Sequence, residues 1–425
     1  MIFAKRVAVL VSAAIILVLI YQLRSRDYHS TLQGLSQKVG LGELVDDEEL
    51  YGQQNVNTPN PTHELLDHAS TQNASIGASA SSLYAPGIPK QSGSNYTRGL
   101  VIGHLTSENT TWLDEYLPTD PSIVPYIYIV DDHSAPLHTP QNKGHEAMVY
   151  LTYILDHYDA LPEISIFMHP HRIAWHTPEL LNHDATELLK RLSNERVIRE
   201  GYMNLRCHWD PGCPERLRPG TSLLDNSKHE ERATAAAWAE MFPDDPIPDA
   251  LGAPCCAQFA VSRERIRSIP KAKFERYRDW LLRTKETDWI SGRVFEYLWQ
   301  QIFAGQAKLC PDARVCYCDG YGICFETPEL YEEWFDNHHY WHLAVKELEQ
   351  WDEKAKILDG VGNWQMIETM DLDIPAPGWN VELKREIEDR LAVLVRMRTA
   401  ALKAGTDPEV RARVAGRQWQ SGNGY

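Results

Sequence analysis

Three histidines, His169, His171 and His176, fall within eight residues of one another and directly follow an apolar run at residues 164–168. At an extended strand end, residues two apart project to the same side. His169 and His171 would then converge on one metal ion or one phosphate, and the turn implied by Pro170 and Trp175 would return His176 as a third, catalytic participant. Surface or hydrogen-bonded core histidines are the competing reading. Upstream, Asn142-Lys143-Gly144-His145-Glu146 reads as a helix start. Asn142 is a good N-cap, Gly144 permits close approach, and free backbone N–H groups beside Lys143 suit an anion such as a diphosphate. These residues, with Glu146, form a candidate substrate-binding group. Ordinary capping would use the same residues. Asp131 and Asp132 follow a strand and would ligand a divalent cation through carboxylate oxygens, or close a turn. Glu296 lies in the aromatic-rich segment SGRVFEYLW. Desolvation there would raise its pKa and suit it to act as general base toward a substrate hydroxyl, unless it pairs with Arg293 three residues before it.

The elements that must position these groups are legible as alternating strands and helices. Residues 99–105 and 124–130 are apolar runs of strand length, separated by a helix-like SENTTWLDEYL. Ala147, Tyr150, Leu151, Ile154 and Tyr158 fall on one face at helical spacing, and residues 164–168 form a buried strand. This order predicts an α/β fold, a mostly parallel sheet flanked by helices, with ligand sites at the carboxyl ends of the strands. Residues 255–261 read as a further strand leading into a helix. Amphipathic segments follow through Phe274, Tyr277, Trp280 and Leu281, then Val294, Phe295, Leu298, Trp299 and Ile302. Beyond Cys324 the chain reads as a charged helical tail.

Composition bounds the partners. The formal net charge of −17 over 425 residues leaves no field for nucleic-acid phosphates, so nucleic acid is not an expected partner. Residues 7–23 are uncharged and flanked by basic residues, near the short end of what spans a bilayer, and no small-residue cleavage site follows. An uncleaved signal-anchor transmembrane helix is the expectation, with the membrane as a partner. The next stretch, residues 27–97, is rich in Ser, Asn, Gln, Gly and Pro and reads as a disordered stem. Sequons at Asn73, Asn95 and Asn109 place the bulk of the chain in the secretory lumen. The eight cysteines fit disulfides there better than a zinc site. The boundaries are an anchor at 1–26, the stem at 27–97, an α/β catalytic-like domain at 98–325 and a helical extension at 326–425. Thirteen Trp and 19 Tyr suit both core filling and sugar platforms.

Residues 142–176, with CCAQFAVSRERI, the Tyr277-x-x-Trp280-Leu281 segment and RVFEYLW, resemble the fungal family known as domain of unknown function 3431, over residues 98–324. That resemblance implies no particular chemistry. The order of parts is also similar to GT-A glycosyltransferases, whose D-x-D motif at a strand end holds a divalent metal such as manganese and the sugar-nucleotide diphosphate. His169-Pro170-His171 stands where that motif would be. This second likeness implies a Golgi or endoplasmic reticulum enzyme moving a sugar from a nucleotide donor to a glycan hydroxyl, with Glu296 as the acceptor-side base. The rival readings are a metal-dependent hydrolase built on His169, His171 and His176, and a non-catalytic carbohydrate-binding protein.

Overall fold

The computed structural model describes residues 84–91, 93–220, 229–361 and 376–425. The chain divides into two units. The first comprises residues 95–190 and 200–310 with the segment before Ile88, and the second comprises 88–94, 191–199 and 311–425.

In the first unit the strands are β1 (Arg98–His104), β2 (Ile123–Ile129), β3 (Ile164–Met168), β4 (Tyr202–Asn204) and β5 (Phe259–Ser262). The helices, in chain order, are α1 (Thr111–Tyr116), α2 (Glu146–His157), α3 (Ala185–Arg191), α4 (Asn194–Glu200), α5 (His229–Met241), α6 (Arg263–Arg267), α7 (Lys271–Arg283), α8 (Asp288–Glu296) and α9 (Trp299–Ala304). Most of α4 belongs to the second unit. The sheet order is β2-β1-β3-β5-β4. Strand β1 runs parallel to both β2 and β3, whereas β5 is antiparallel to β3 and to β4. Four strands therefore share one direction and β5 runs against them, so the sheet is mixed where a mostly parallel one was expected.

Strand β3 is buried at every position, as befits a strand covered on both faces. Helix α2 departs from the one-faced pattern read in the sequence, because Ala147 through Leu155 are all buried. It lies between the sheet and helices α7 and α8, so it has no solvent face to keep polar. Tyr150, Phe167, Phe259, Phe295, Trp299 and Phe303 form an aromatic centre, with Tyr150 edge-on to Phe259 at 5.6 Å and Trp299 stacked on Phe303 at 6.0 Å. Such pairs add about 0.5–1.5 kcal/mol each beyond burial. Most tyrosines and tryptophans of this unit are thus core.

The second unit is helical: α10 (Ala313–Tyr321), α11 (Pro328–Val361), α12 (Trp379–Ala404) and α13 (Pro408–Val414). Helices α11 and α12 pair along their length, Trp334 donating to the Leu394 carbonyl at 3.1 Å and Trp379 to Glu347 at 2.7 Å. The buried Asp319 of α10 is bracketed by Arg196 at 3.6 Å and by Arg199.

The membrane anchor expected at residues 7–23, most of the stem, and Asn73 lie outside the described residues. Among the described residues, no helix is long and apolar enough to cross a membrane. The end of the stem is not disordered: Tyr84 donates to the Ile302 carbonyl at 3.1 Å and carries the Arg265 guanidinium over its ring at 4.4 Å. Tyr84, the buried Tyr96 and the bonds between Thr97 and Glu163 fix a stretch whose composition reads as linker. Asn95 and Asn109 are exposed, and Asn109 accepts from the Thr111 N–H and hydroxyl at the start of α1.

All eight cysteines are disulfide-bonded. Cys213 pairs with Cys310, Cys255 with its neighbour Cys256, and Cys318 with Cys324.

Candidate active site

The sheet register decides which residues meet. Phe167 of β3 lies opposite Phe259 of the antiparallel β5, so the chain leaving β3 and the chain entering β5 share the carboxyl edge of the parallel strands. There the His169 N–H donates to Gln258 Oε1 at 3.1 Å, and its ring Nε2 donates to the Cys256 carbonyl at 2.8 Å. A carbonyl only accepts, so the imidazole proton sits on Nε2 and Nδ1 keeps its lone pair. Burial pushes the His169 pKa down, favouring the neutral ring.

The partner of His169 is His176, with ring centroids 4.5 Å apart. The turn that returns His176 is fixed by Arg206, which donates to the Trp175 carbonyl at 2.8 Å and the Asp210 carbonyl at 2.9 Å and lies over the Trp175 ring. Burial first, then the nearby His169 and Arg206, hold the His176 pKa well below its usual value. His171 turns to another partner. Strand β3 stops at Met168, and Trp112 binds the Pro170 carbonyl at 2.7 Å, so the extended geometry that aligns alternate residues does not continue. His171 is exposed, its Nε2 3.5 Å from Glu108.

Cys256 joins His169 to the helix side of the site. Its carbonyl accepts the hydrogen bond from His169 Nε2–H, and its N–H donates to Glu296 Oε1 at 2.8 Å. Cys256 and Ala257 sit at φ of +83° and +49°, a region that side-chain-bearing residues seldom occupy and that is concentrated at functional sites. Glu296 ends α8; its other oxygen takes Arg293 Nη1 at 2.9 Å, and Arg293 also approaches the buried Glu230 at 4.0 Å. The i,i+3 pairing that competed with a catalytic Glu296 in the sequence is therefore real, and it coexists with the contact to Cys256.

Glu146, the first residue of α2, is a carboxyl of raised pKa. Burial above all, reinforced by the charge of Glu296 and opposed by His145 and Arg293, pushes its pKa up to about 7. One turn along, Tyr150 has its hydroxyl buried with no hydrogen-bond partner among the described residues, and burial with the Glu146 charge raises its pKa. Gln258 Nε2, His176 Nε2 and Tyr297 Oη are likewise buried and unpartnered among the described residues. An unmet buried polar group costs about 1–3 kcal/mol. Of these, the Tyr150 hydroxyl feels the Glu146 charge and the Tyr297 hydroxyl that of Glu296, while Gln258 and His176 adjoin His169.

The anion cradle expected at residues 142–144 is already taken. Helix α2 begins at Glu146, three residues later than an Asn142 N-cap requires, and its N-cap position is His145 at φ +50°. Gly144, at φ +70°, gives its N–H to Asp288 at 2.9 Å, and Lys143 spends its ammonium on the Thr284 carbonyl. The protein's own carboxylate occupies the place of a diphosphate, and Asn142 stands exposed beside it. Helix α8 presses close here because Gly292 leaves room for the His145 ring, whose Cδ2 lies 2.6 Å from where a Cβ would be. Asp131 and Asp132 do turn work: Asp131 accepts from Thr106 N–H and hydroxyl, and Asp132 caps Ser134 at 2.8 and 2.6 Å.

A divalent cation such as manganese does not fit this donor set. Among the described residues, the three potential ligands that come within 4.8 Å of one another are Cys255, Cys256 and Glu296, and both sulfurs are consumed in their disulfide. His169, His171, Asp131 and Asp132 do not assemble with them.

A family model described as protein of unknown function (DUF3431) matches residues 100–319. The chain belongs to that family. The DUF3431 match takes in β2 to β5, all of β1 after its first two residues, and every residue of the cluster from Glu146 to Glu296. No curated protein and no solved structure matches the chain, so the comparisons add nothing to the glycosyltransferase likeness. Sequence reasoning named Glu146 for substrate binding and Glu296 as base, and it missed Cys256 and Gln258 altogether. The adjacent cysteines just ahead of a strand were the available signal, since a strand entering the sheet edge brings its leading turn to the site.

Proposed function

We propose that this DUF3431 protein is a glycosyltransferase-like enzyme of the secretory lumen that moves a sugar from a nucleotide donor onto a hydroxyl acceptor. The observation that carries this reading is Glu146 at the start of α2, with its pKa pushed up to about 7 by burial and by the charge of Glu296, which the Cys256 N–H holds at the carboxyl edge of the parallel strands. A general base works best with a pKa near the operating pH. Glu146 is therefore the group that takes the acceptor's hydroxyl proton, in place of Glu296. Glu296, fixed by the Cys256 N–H and Arg293, supplies the negative charge that raises the proton affinity of Glu146. The free lone pair of His169 Nδ1 and the Tyr150 hydroxyl orient sugar hydroxyls. No step runs through a metal ion, and the donor diphosphate lies elsewhere than residues 142–144, where Asp288 would repel it.

One observation favours a second reading. A carboxyl of raised pKa such as Glu146, near a second carboxylate, also serves glycosidic-bond hydrolysis, one as acid and the other as base. Thermal-shift titration of the full-length protein in detergent with nucleotide sugars, with and without manganese, separates the two. Transfer predicts stabilisation by a nucleotide sugar of equal size in both conditions. Stabilisation by oligosaccharides alone, with none from any nucleotide sugar, would favour hydrolysis.

A further inference from the structure

We propose that Trp289 is a stacking platform for a pyranose ring of a neutral saccharide acceptor, placed one or two sugar units from the reacting hydroxyl; this rests on the glycosyl-transfer reading. Trp289, Arg293 and Glu296 occupy positions i, i+4 and i+7 of α8, so they form one stripe on that helix. The stripe runs from solvent into the site. The Trp289 residue is 53 % exposed, whereas the Glu296 side chain is 8 % exposed. Seven residues of α-helix advance about 10 Å, the span of roughly two pyranose units.

Trp289 is also fixed. The Arg293 guanidinium lies over its ring at 5.5 Å from the centroid, and the same guanidinium holds Glu296 at 2.9 Å. One arginine thus ties the platform to the acid–base pair. Trp238, Trp280 and Trp299 of the same unit are buried in its core, whereas Trp289, like Trp209, keeps its indole in water at a cost in hydrophobic stabilisation. An indole offers a flat apolar face to the C–H face of a sugar ring while the sugar's hydroxyls stay hydrated. Charge selects the class of sugar. Glu146, Glu230 and Glu296 surround the single guanidinium of Arg293, an arrangement that disfavours uronic or sialic acids and admits a neutral pyranoside.

The test is a titration of the full-length protein in detergent with cellobiose, mannobiose and chitobiose, followed by ligand-observed NMR, for the wild type, Trp289→Ala and Trp289→Phe. At least one disaccharide should bind the wild type, with saturation transferred to the protons of one ring face. Trp289→Ala should weaken that binding about tenfold, from the size of an aromatic contact, while Trp289→Phe retains most of it. No binding by any of the three sugars, or equal binding by Trp289→Ala, overturns the platform. The phenylalanine variant guards against misfolding: loss in both variants with an unchanged melting temperature also counts against stacking. Nucleotide-sugar turnover measured alongside keeps the two ideas apart. Turnover with no dependence of the acceptor KM on Trp289 sinks the platform alone; disaccharide binding lost in Trp289→Ala, with no turnover from any donor, sinks glycosyl transfer and leaves the platform standing.

Discussion

Glu146→Gln replaces a carboxyl whose ionisation the folded state resists with an amide of nearly the same shape. The carboxyl moves from its ordinary 4.5 up to about 7 on folding. At about 1.4 kcal/mol per unit, the folded protein carries roughly 3 kcal/mol of ionisation cost at this one group once the pH exceeds its folded pKa. The sign follows from proton binding: the native state holds this proton more tightly than the unfolded chain. Its contribution to stability is therefore complete below about pH 4.5 and is lost as the pH rises through about 7. The amide has no such titration. Relative to wild type, Glu146→Gln should gain about 2–3 kcal/mol between roughly pH 5 and pH 8, or about 5–10 °C in Tm for a folded unit of this size. Scanning calorimetry of both proteins at intervals of one pH unit measures it. A difference in Tm that stays constant with pH, or a variant that loses ground above neutrality, would refute the burial-and-charge account of Glu146.

The other expectations concern the elements around that group. Glu296→Gln removes the neighbouring charge, so the Glu146 carboxyl should titrate at lower pH than in wild type when followed by carbon-detected NMR. Gly144→Ala puts a methyl group 2.5 Å from Leu281 Cδ1 at a φ of +70°, and should cost about 2–4 kcal/mol in urea unfolding. Removing the Cys213–Cys310 disulfide as a double serine variant, with the other disulfides intact, should cost about 2–4 kcal/mol, read as a fall in the denaturant midpoint.

How much of this was legible in the sequence varied with the range of the interaction. Strands β1, β2 and β3 show through because apolar runs between turn residues are local signals, and Ile164–Met168 lies where its pattern puts it. The mixed direction of the sheet was not legible, because nothing in residues 255–261 encodes that their partner is β3 read backwards. The helix start failed for a related reason. Asn142, Lys143 and Gly144 have the composition of an anion cradle, but Asp288, 144 residues away in sequence, fills it. The histidines follow the strand end as read, but the His169–His176 ring contact was not legible, since alternation holds only while the chain stays extended and β3 ends before them. Glu146 was visible as a residue and hidden as a chemical group, because its pKa depends on the burial of α2 on every side and on a carboxylate from α8.

Nucleoside diphosphate release from a panel of nucleotide sugars, followed with a hydroxyl acceptor present for wild type and Glu146→Gln, tests the central claim most directly. An acid–base site built on Glu146 predicts release from at least one donor, rising through a pH limb near 7 and falling by about 10² or more in the variant. Turnover by Glu146→Gln equal to wild type, or no release from any donor at any pH, would contradict it.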